Sequence, residues 1–180
     1  SIGIPAVQAG GPPIWVGAGV HKTGARRAAA LGDAWIVPPH AEPEKLRSIL
    51  TFYAEERERL GRGPAQEVVV RREMVLDDDR EKAMEVGLHY RGENTRKYAE
   101  FEAPDKTDSY RHLKGQDGLK SVADKSYLFT DPATAIAQLK ELEELGITHV
   151  ILRMQWYDLP QDRMLATLEK FKNEVLPAFR

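Results

Sequence analysis

The chain has 180 residues, 42% of them hydrophobic and 30% charged, with a formal net charge of −2, no cysteine and five histidines. That length suits one domain with a substantial core and is short for two, and the composition excludes a disordered chain. The balanced charge gives no global attraction to nucleic acid or to an anionic membrane, and the lack of cysteine excludes disulfides, thiolate nucleophiles and thiolate metal sites. His21, His40, His89, His112 and His149 are scattered, without a paired spacing such as HExxH, so no metal site is expected. No apolar run approaches the roughly 18 to 20 residues that span a bilayer, and no leader-like segment is evident, so the expectation is a soluble, cytoplasmic protein. The opening SIGIPAVQAGGPP lacks methionine and amphipathic period and reads as a connector, residues 1–12, inside something longer.

From there strand and helix alternate. Ile14 to Gly17 is a short apolar run ended by glycine, and Gly24 to Leu31, rich in alanine and arginine, has helical composition up to Gly32. Trp35 to Val37 is a second run, broken by Pro38 and Pro39. Leu46, Ile49, Leu50, Tyr53 and Leu60 then form a stripe at helical spacing. EVVVRREMVL, residues 67–76, is β-branched and stops at Asp77, Asp78 and Asp79, which favour a helix start over Glu81 to Leu88. Tyr90 to Ser126 is a polar, turn-rich excursion, taken as an insertion over 90–126; its Tyr98, Phe101, Tyr110 and His112 fit a substrate cover and a solvated surface equally well. Asp131 and Pro132 open a helix carrying Ile136, Leu139 and Leu142, stopped at Gly146. THVILRM, from Thr148 to Met154, is the last strand, and Met164, Leu165, Leu168, Phe171 and Val175 mark a closing helix. Residues 1–180 thus read as one α/β domain of parallel strands joined by helical crossovers. Four strands suit either an open doubly wound sheet or half of a (β/α)8 barrel, which needs eight strands and about 250 residues.

The unit PPIWVGAGVHKTGARRAAALGDAW, Pro12 to Trp35, bears on chemistry. A strand emptying into a glycine-bearing loop that opens a helix offers unpaired amides and a favourable dipole to an anion. Small residues in the turn admit an anion close to the backbone; Thr23 is placed to cap the helix and donate a hydroxyl, and His21 or Lys22 to add charge. A solvated glycine-rich turn with no ligand fits the same residues. Arg26 and Arg27 follow in the helix, within reach of a phosphate, although a solvated side chain or a salt-bridge partner is the more ordinary role there. On EVVVRREMVL, Arg71 and Glu73 share one face and Arg72 and Met74 the other, and a buried Glu73 paired with an arginine is expected.

PPIWVGAG, ARRAAALGDAW, VVVRREMVL, LFTDPATAIAQLKELEELGITHVILRM, RMQWYDLPQ and the ending LEKFKNEVLPAFR, in that order, resemble the second half of the bacterial luciferase-like monooxygenases, flavin- and deazaflavin-dependent (β/α)8 enzymes. The resemblance implies a C-terminal (β/α)4 half-barrel that holds reduced FMN or a deazaflavin coenzyme, with the cofactor phosphate at Gly17, Ala18, Gly19, Val20, His21, Lys22, Thr23 and Gly24. In that barrel Glu73, Arg153 and Trp156 would stand beside the ring and a small organic substrate, an apolar lid over the barrel end explaining Trp156 equally well, and no catalytic residue is named. The implied function is half of an oxidoreductase or monooxygenase, completed by an N-terminal half or by a second copy; the alternative is a non-catalytic assembly module. The family commonly has glycine where this chain has Phe129, and phenylalanine resists positive φ, so the turn there is expected to differ.

Overall fold

The structure, a computed structural model, describes residues 6–65, 67–101, 115–156 and 158–179, and of residues 98–101 and 115–116 the backbone alone. In chain order it contains β1 (Trp15–Gly17), α1 (Lys22–Leu31), β2 (Ala34–Val37), α2 (Pro43–Arg59), β3 (Val68–Leu76), α3 (Arg80–Phe101), α4 (Gly115–Ser126), β4 (Leu128–Thr130), α5 (Pro132–Glu144), β5 (His149–Arg153) and α6 (Gln161–Lys170). Local chemistry sets the boundaries. Asp79 accepts from the amides of Glu81 and Lys82 at the start of α3. Asp131 accepts from the Thr134 amide at 2.9 Å and its hydroxyl at 2.7 Å, with Pro132 in the first turn, where its missing amide costs nothing. Those hydrogen bonds hold the Asp131 carboxyl below the usual carboxylate range. Gly146 ends α5 at φ +86°, a conformation that a side chain would strain.

Every strand pair is parallel. β1 pairs with β2, β2 with β3 and β3 with β5, while the last three residues of the nine-residue β3 pair with β4. The two faces of β3 follow its period of two. Val70, Met74 and Leu76, with Trp35 and Val37, pack against Ala25, Ala28 and Ala29 of α1, Leu46, Ile49 and Tyr53 of α2, and Leu139 and Leu142 of α5. Alanines let α1 lie close to the sheet, and the buried Trp35 fills the space beneath α2. Arg72 shares this helix-covered face. It is 2% exposed, donates to the carbonyls of Pro39 and Ala41, and burial pushes its guanidinium down to about 10.

The opposite face carries Trp15, Val69, Arg71, Glu73, Val75 and His149, and it is concave. Three strand spacings separate β1 from β5, about 14 Å in a flat sheet. Yet the rings of Trp15 and His149 lie 6.3 Å apart, and both side chains reach the Glu67 carboxylate. At the carboxyl end of this inner face a second core forms from Val75, Ala83 of α3, Leu119, Val122 and Ala123 of α4, and Tyr127, Phe129, Trp156 and Leu159.

Three features differ from the sequence expectation. A fifth strand, β4, is present; three residues are too few to show alternation. Helix α1 starts at Lys22 rather than Gly24, because His21 caps it. The excursion contains helices: α3 continues past Leu88 to Phe101, and residues 115–126 form α4. The buried positions of α3 recur at helical spacing, but they are Ala83, Gly87, Arg91 and Asn94, so a search for apolar residues passes over them. Tyr110 and His112 lie outside the described residues, as do the side chains of Tyr98 and Phe101 and the first five residues of the connector. Phe129 needs no special backbone: it sits extended in β4, and no non-glycine among the described residues has positive φ. Its ring lies flat against α3 where Gly87 offers no side chain; a Cβ there would overlap three ring atoms.

Candidate functional site

At the carboxyl end of β1 the chain turns through Gly17, Ala18, Gly19 and Val20 into α1. The His21 amide donates to the Gly19 carbonyl at 2.9 Å, and the Trp35 indole donates to the Ala18 carbonyl at 3.1 Å, so the turn is pinned to the core. His21 is the N-cap, its Nδ1 accepting from the Gly24 amide at 3.0 Å. This corrects the assignment of the cap to Thr23. An accepting Nδ1 belongs to the neutral ring, so His21 brings no charge to the turn while it caps. The Lys22 ammonium lies 5.2 Å over the Phe52 ring of α2. What the turn presents is backbone. Lys22 and Thr23 are the first two residues of α1, whose amides have no intrahelical acceptor, and the exposed Thr23 adds a hydroxyl. Gly24 is required by space, because a Cβ would overlap the Gly19 carbonyl oxygen, and one at Gly19 would press the His21 ring at 2.9 Å. A tight turn of small residues with two open amides fits a phosphate held by main chain and helix dipole. Arg26 pairs with Glu56 at 3.4 Å and stacks on Phe52, the salt-bridging role expected of it.

The inner face holds a charged cluster around Glu73, whose side chain is wholly buried. Oε1 lies 3.4 Å from Arg91 Nε and 3.5 Å from Arg71 Nη2; Oε2 accepts from the Trp156 indole at 3.1 Å and lies 3.9 Å from Arg153 Nε. A buried carboxylate without such partners would cost several kcal/mol. The structure thus brings Glu73, Arg153 and Trp156 together, with Arg153 at the carboxyl end of β5 and Trp156 three residues on. Gln155 donates to the Trp156 and Leu159 carbonyls and fixes that loop.

Arg91, Asn94 and Tyr127 belong to the same cluster and are absent from the sequence-derived set. Arg91 donates to Thr95 and Asn94, and Asn94 also accepts from Arg153 at 3.4 Å. Tyr127 is 1% exposed; burial pushes its phenol up, against the pull of the Arg91 guanidinium. An arginine and an asparagine in register with Ala83 and Gly87 on one helix face were the available signal, since a polar residue on a buried stripe demands a partner.

The family model for luciferase-like monooxygenases matches residues 3–149. A search of curated proteins gave no match. Among solved structures, the monooxygenase RslO1 from Streptomyces bottropensis superposes with TM-score 0.70 at 19% identity, over 96% of this chain and 50% of its own. The FMN-bound oxygenating constituent of 3,6-diketocamphane monooxygenase from Pseudomonas putida gives 0.68 at 17% identity, over 93% and 49%. Coenzyme F420 dependent tetrahydromethanopterin reductase from Methanopyrus kandleri gives 0.63 at 18%, over 93% and 51%. The chain therefore spans about half the length of these structures, and its curved parallel sheet is half of their TIM-type barrel.

Proposed function

Because the chain belongs to the luciferase-like monooxygenase family, we propose that it is the cofactor-phosphate-binding half of a flavin- or deazaflavin-dependent oxidoreductase, completed by an N-terminal half or a second copy. One observation carries this reading. The turn 17–24 and the Glu73 cluster stand at the same, carboxyl, end of one concave parallel sheet, where barrel enzymes hold cofactor and substrate. The phosphate of reduced FMN or of a deazaflavin coenzyme would rest on the Lys22 and Thr23 amides and the Thr23 hydroxyl. Gly17, Ala18, Gly19, Val20 and Gly24 would keep the approach open, and His21 would hold the turn in shape. Bound there, the cofactor supplies hydride transfer or oxygen activation. Glu73, Arg153 and Trp156 would form the wall facing a small organic substrate.

Completion is supported by what the sheet leaves open. The outer edges of β1 and β5 have no strand partner among the described residues, and unpaired edges invite pairing. Trp15 and Ile151 are 38% and 39% exposed on the inner face, and an apolar groove of about 290 Å³ lined by Val150, Leu152, Phe171 and Leu176 opens beside β5.

The test is thermal stabilisation by reduced FMN and by a deazaflavin coenzyme, with light scattering on the same samples. Stabilisation by either cofactor that falls in Thr23→Val and in Gly24→Ala, in a chain that self-associates or captures an N-terminal half, supports the reading. No response to any flavin, in an associated species, favours instead a non-catalytic assembly module, which the half-length match also suits. A stable monomer indifferent to flavin overturns both.

A further inference from the structure

We infer that the inner-face cluster is an oxyanion receptor, taking the carboxylate or phosphate group of a small-molecule ligand between Arg71, Arg153, Arg91 and Tyr127. Three guanidiniums surround one carboxylate, and among the described residues Glu73 is the only acid that pairs with any of them, which leaves two positive charges uncompensated. Their contacts to Glu73, at 3.4, 3.5 and 3.9 Å, are longer than the roughly 2.7–2.9 Å of a charge-assisted hydrogen bond. A single carboxylate cannot neutralise all three.

An independent observation concerns the donors. Arg71 Nε and the Tyr127 hydroxyl are buried without a hydrogen-bond partner, and Arg91 Nε has only the 3.4 Å ion contact to Glu73. Buried donors are rarely left so, because each forfeits its water without replacement. Arg71 and Arg153 border Glu73 on the concave face with side chains 39% and 29% exposed, so a solute meets these two arginines from that face. An oxyanion there accepts from both forks and from the phenol, and meets the excess charge. The donors differ from those of the turn 17–24, which are main-chain amides two strands away on β1. This inference rests on the proposed function only in taking the inner face as substrate space, and it narrows that substrate to one bearing an oxyanion.

Titration with acetate and, separately, with inorganic phosphate at constant ionic strength tests it, read by melting temperature and calorimetry. Binding is expected to weaken about tenfold or more in Arg71→Gln, in Arg153→Gln and in Tyr127→Phe, and to persist in Thr23→Val. The tighter anion names the group. Tyr127→Phe is also expected to raise the melting temperature of the free protein, since it deletes an unpaired buried hydroxyl; a lowered one would mean that the hydroxyl has a structural partner, and would overturn the assignment. So would the absence of binding by both anions, or binding unchanged in the arginine variants. Phosphate binding lost in Thr23→Val alone belongs to the turn, which supports the cofactor site and overturns this one.

Discussion

Replacing Glu73 with glutamine isolates the charge at the centre of the cluster while keeping volume and an acceptor for the Trp156 indole. The three arginines lose different amounts. Arg71 and Arg153 are 39% and 29% exposed and can turn towards water, so their loss is discounted for screening. Arg91 is 5% exposed and 3.4 Å from the carboxylate, so the variant strands a buried cation. Breaking such a pair from one side costs about 3–5 kcal/mol, and the bonds that Arg91 keeps to Thr95 and Asn94 place the expectation at the lower end, about 3 kcal/mol. For a chain of this size that lowers the melting temperature by roughly 10 °C. Urea denaturation followed by circular dichroism measures it, and a cycle with Arg91→Met assigns it. The double variant, having no stranded charge, should be more stable than additivity predicts by about 2 kcal/mol. A loss below about 0.5 kcal/mol, the scatter of ordinary surface substitutions, or an additive cycle would refute the claim that Glu73 neutralises Arg91.

Other outcomes follow from named contacts. Gly87→Ala gains about 1 kcal/mol of helix propensity but drives a Cβ into the Phe129 ring, which is hemmed in by Tyr127 and Trp156, so a net loss of about 2 kcal/mol is expected in denaturant unfolding. Adding Phe129→Leu should recover part of it, and a stabilised single variant would show the ring to be mobile. His21→Ala should cost about 1 kcal/mol through the lost cap, with His21→Asn restoring most of it in the same assay. Asp131 has a lowered pKa in the fold, so the stability it contributes is present above its unfolded value near 4 and is lost as pH falls through the folded value. Asp131→Asn should therefore flatten the stability profile below about pH 4, and an unchanged acid limb would count against the cap's ionic character.

The sequence displayed those elements whose burial is apolar. Val68 to Leu76 is rich in β-branched valine, and the stripe of Leu46, Ile49 and Tyr53 has helical spacing, so β3 and α2 were legible from composition and period. The carboxyl-end cover was not, because its helix is buried on Ala83, Gly87, Arg91 and Asn94, and its strand is three residues long. The turn after β1 showed its glycines but not its cap. The rivalry between His21 and Thr23 is decided by whether Nδ1 can reach the Gly24 amide, a matter of side-chain geometry that spacing does not encode. Glu73 was recognisable as a buried carboxylate from its face on β3, whereas two of the groups around it, Arg91 and Tyr127, arrive from segments 18 and 54 residues downstream.

The alternation along β3 has a consequence for how the sheet finds its alignment. Arg72 and Glu73 are adjacent, oppositely charged and both buried, one turned to the helices and the other to the concavity. A slip of one residue would exchange them, setting a carboxylate among Val37, Leu46 and the Pro39 and Ala41 carbonyls, and putting the Arg72 guanidinium in the carboxylate's place beside Arg91 and Arg153. Purely aliphatic strands tolerate sliding because either side of the ribbon is greasy. Here the two charges work as a key cut on both edges, so that a misaligned β3 carries an electrostatic penalty that a greasy ribbon would not.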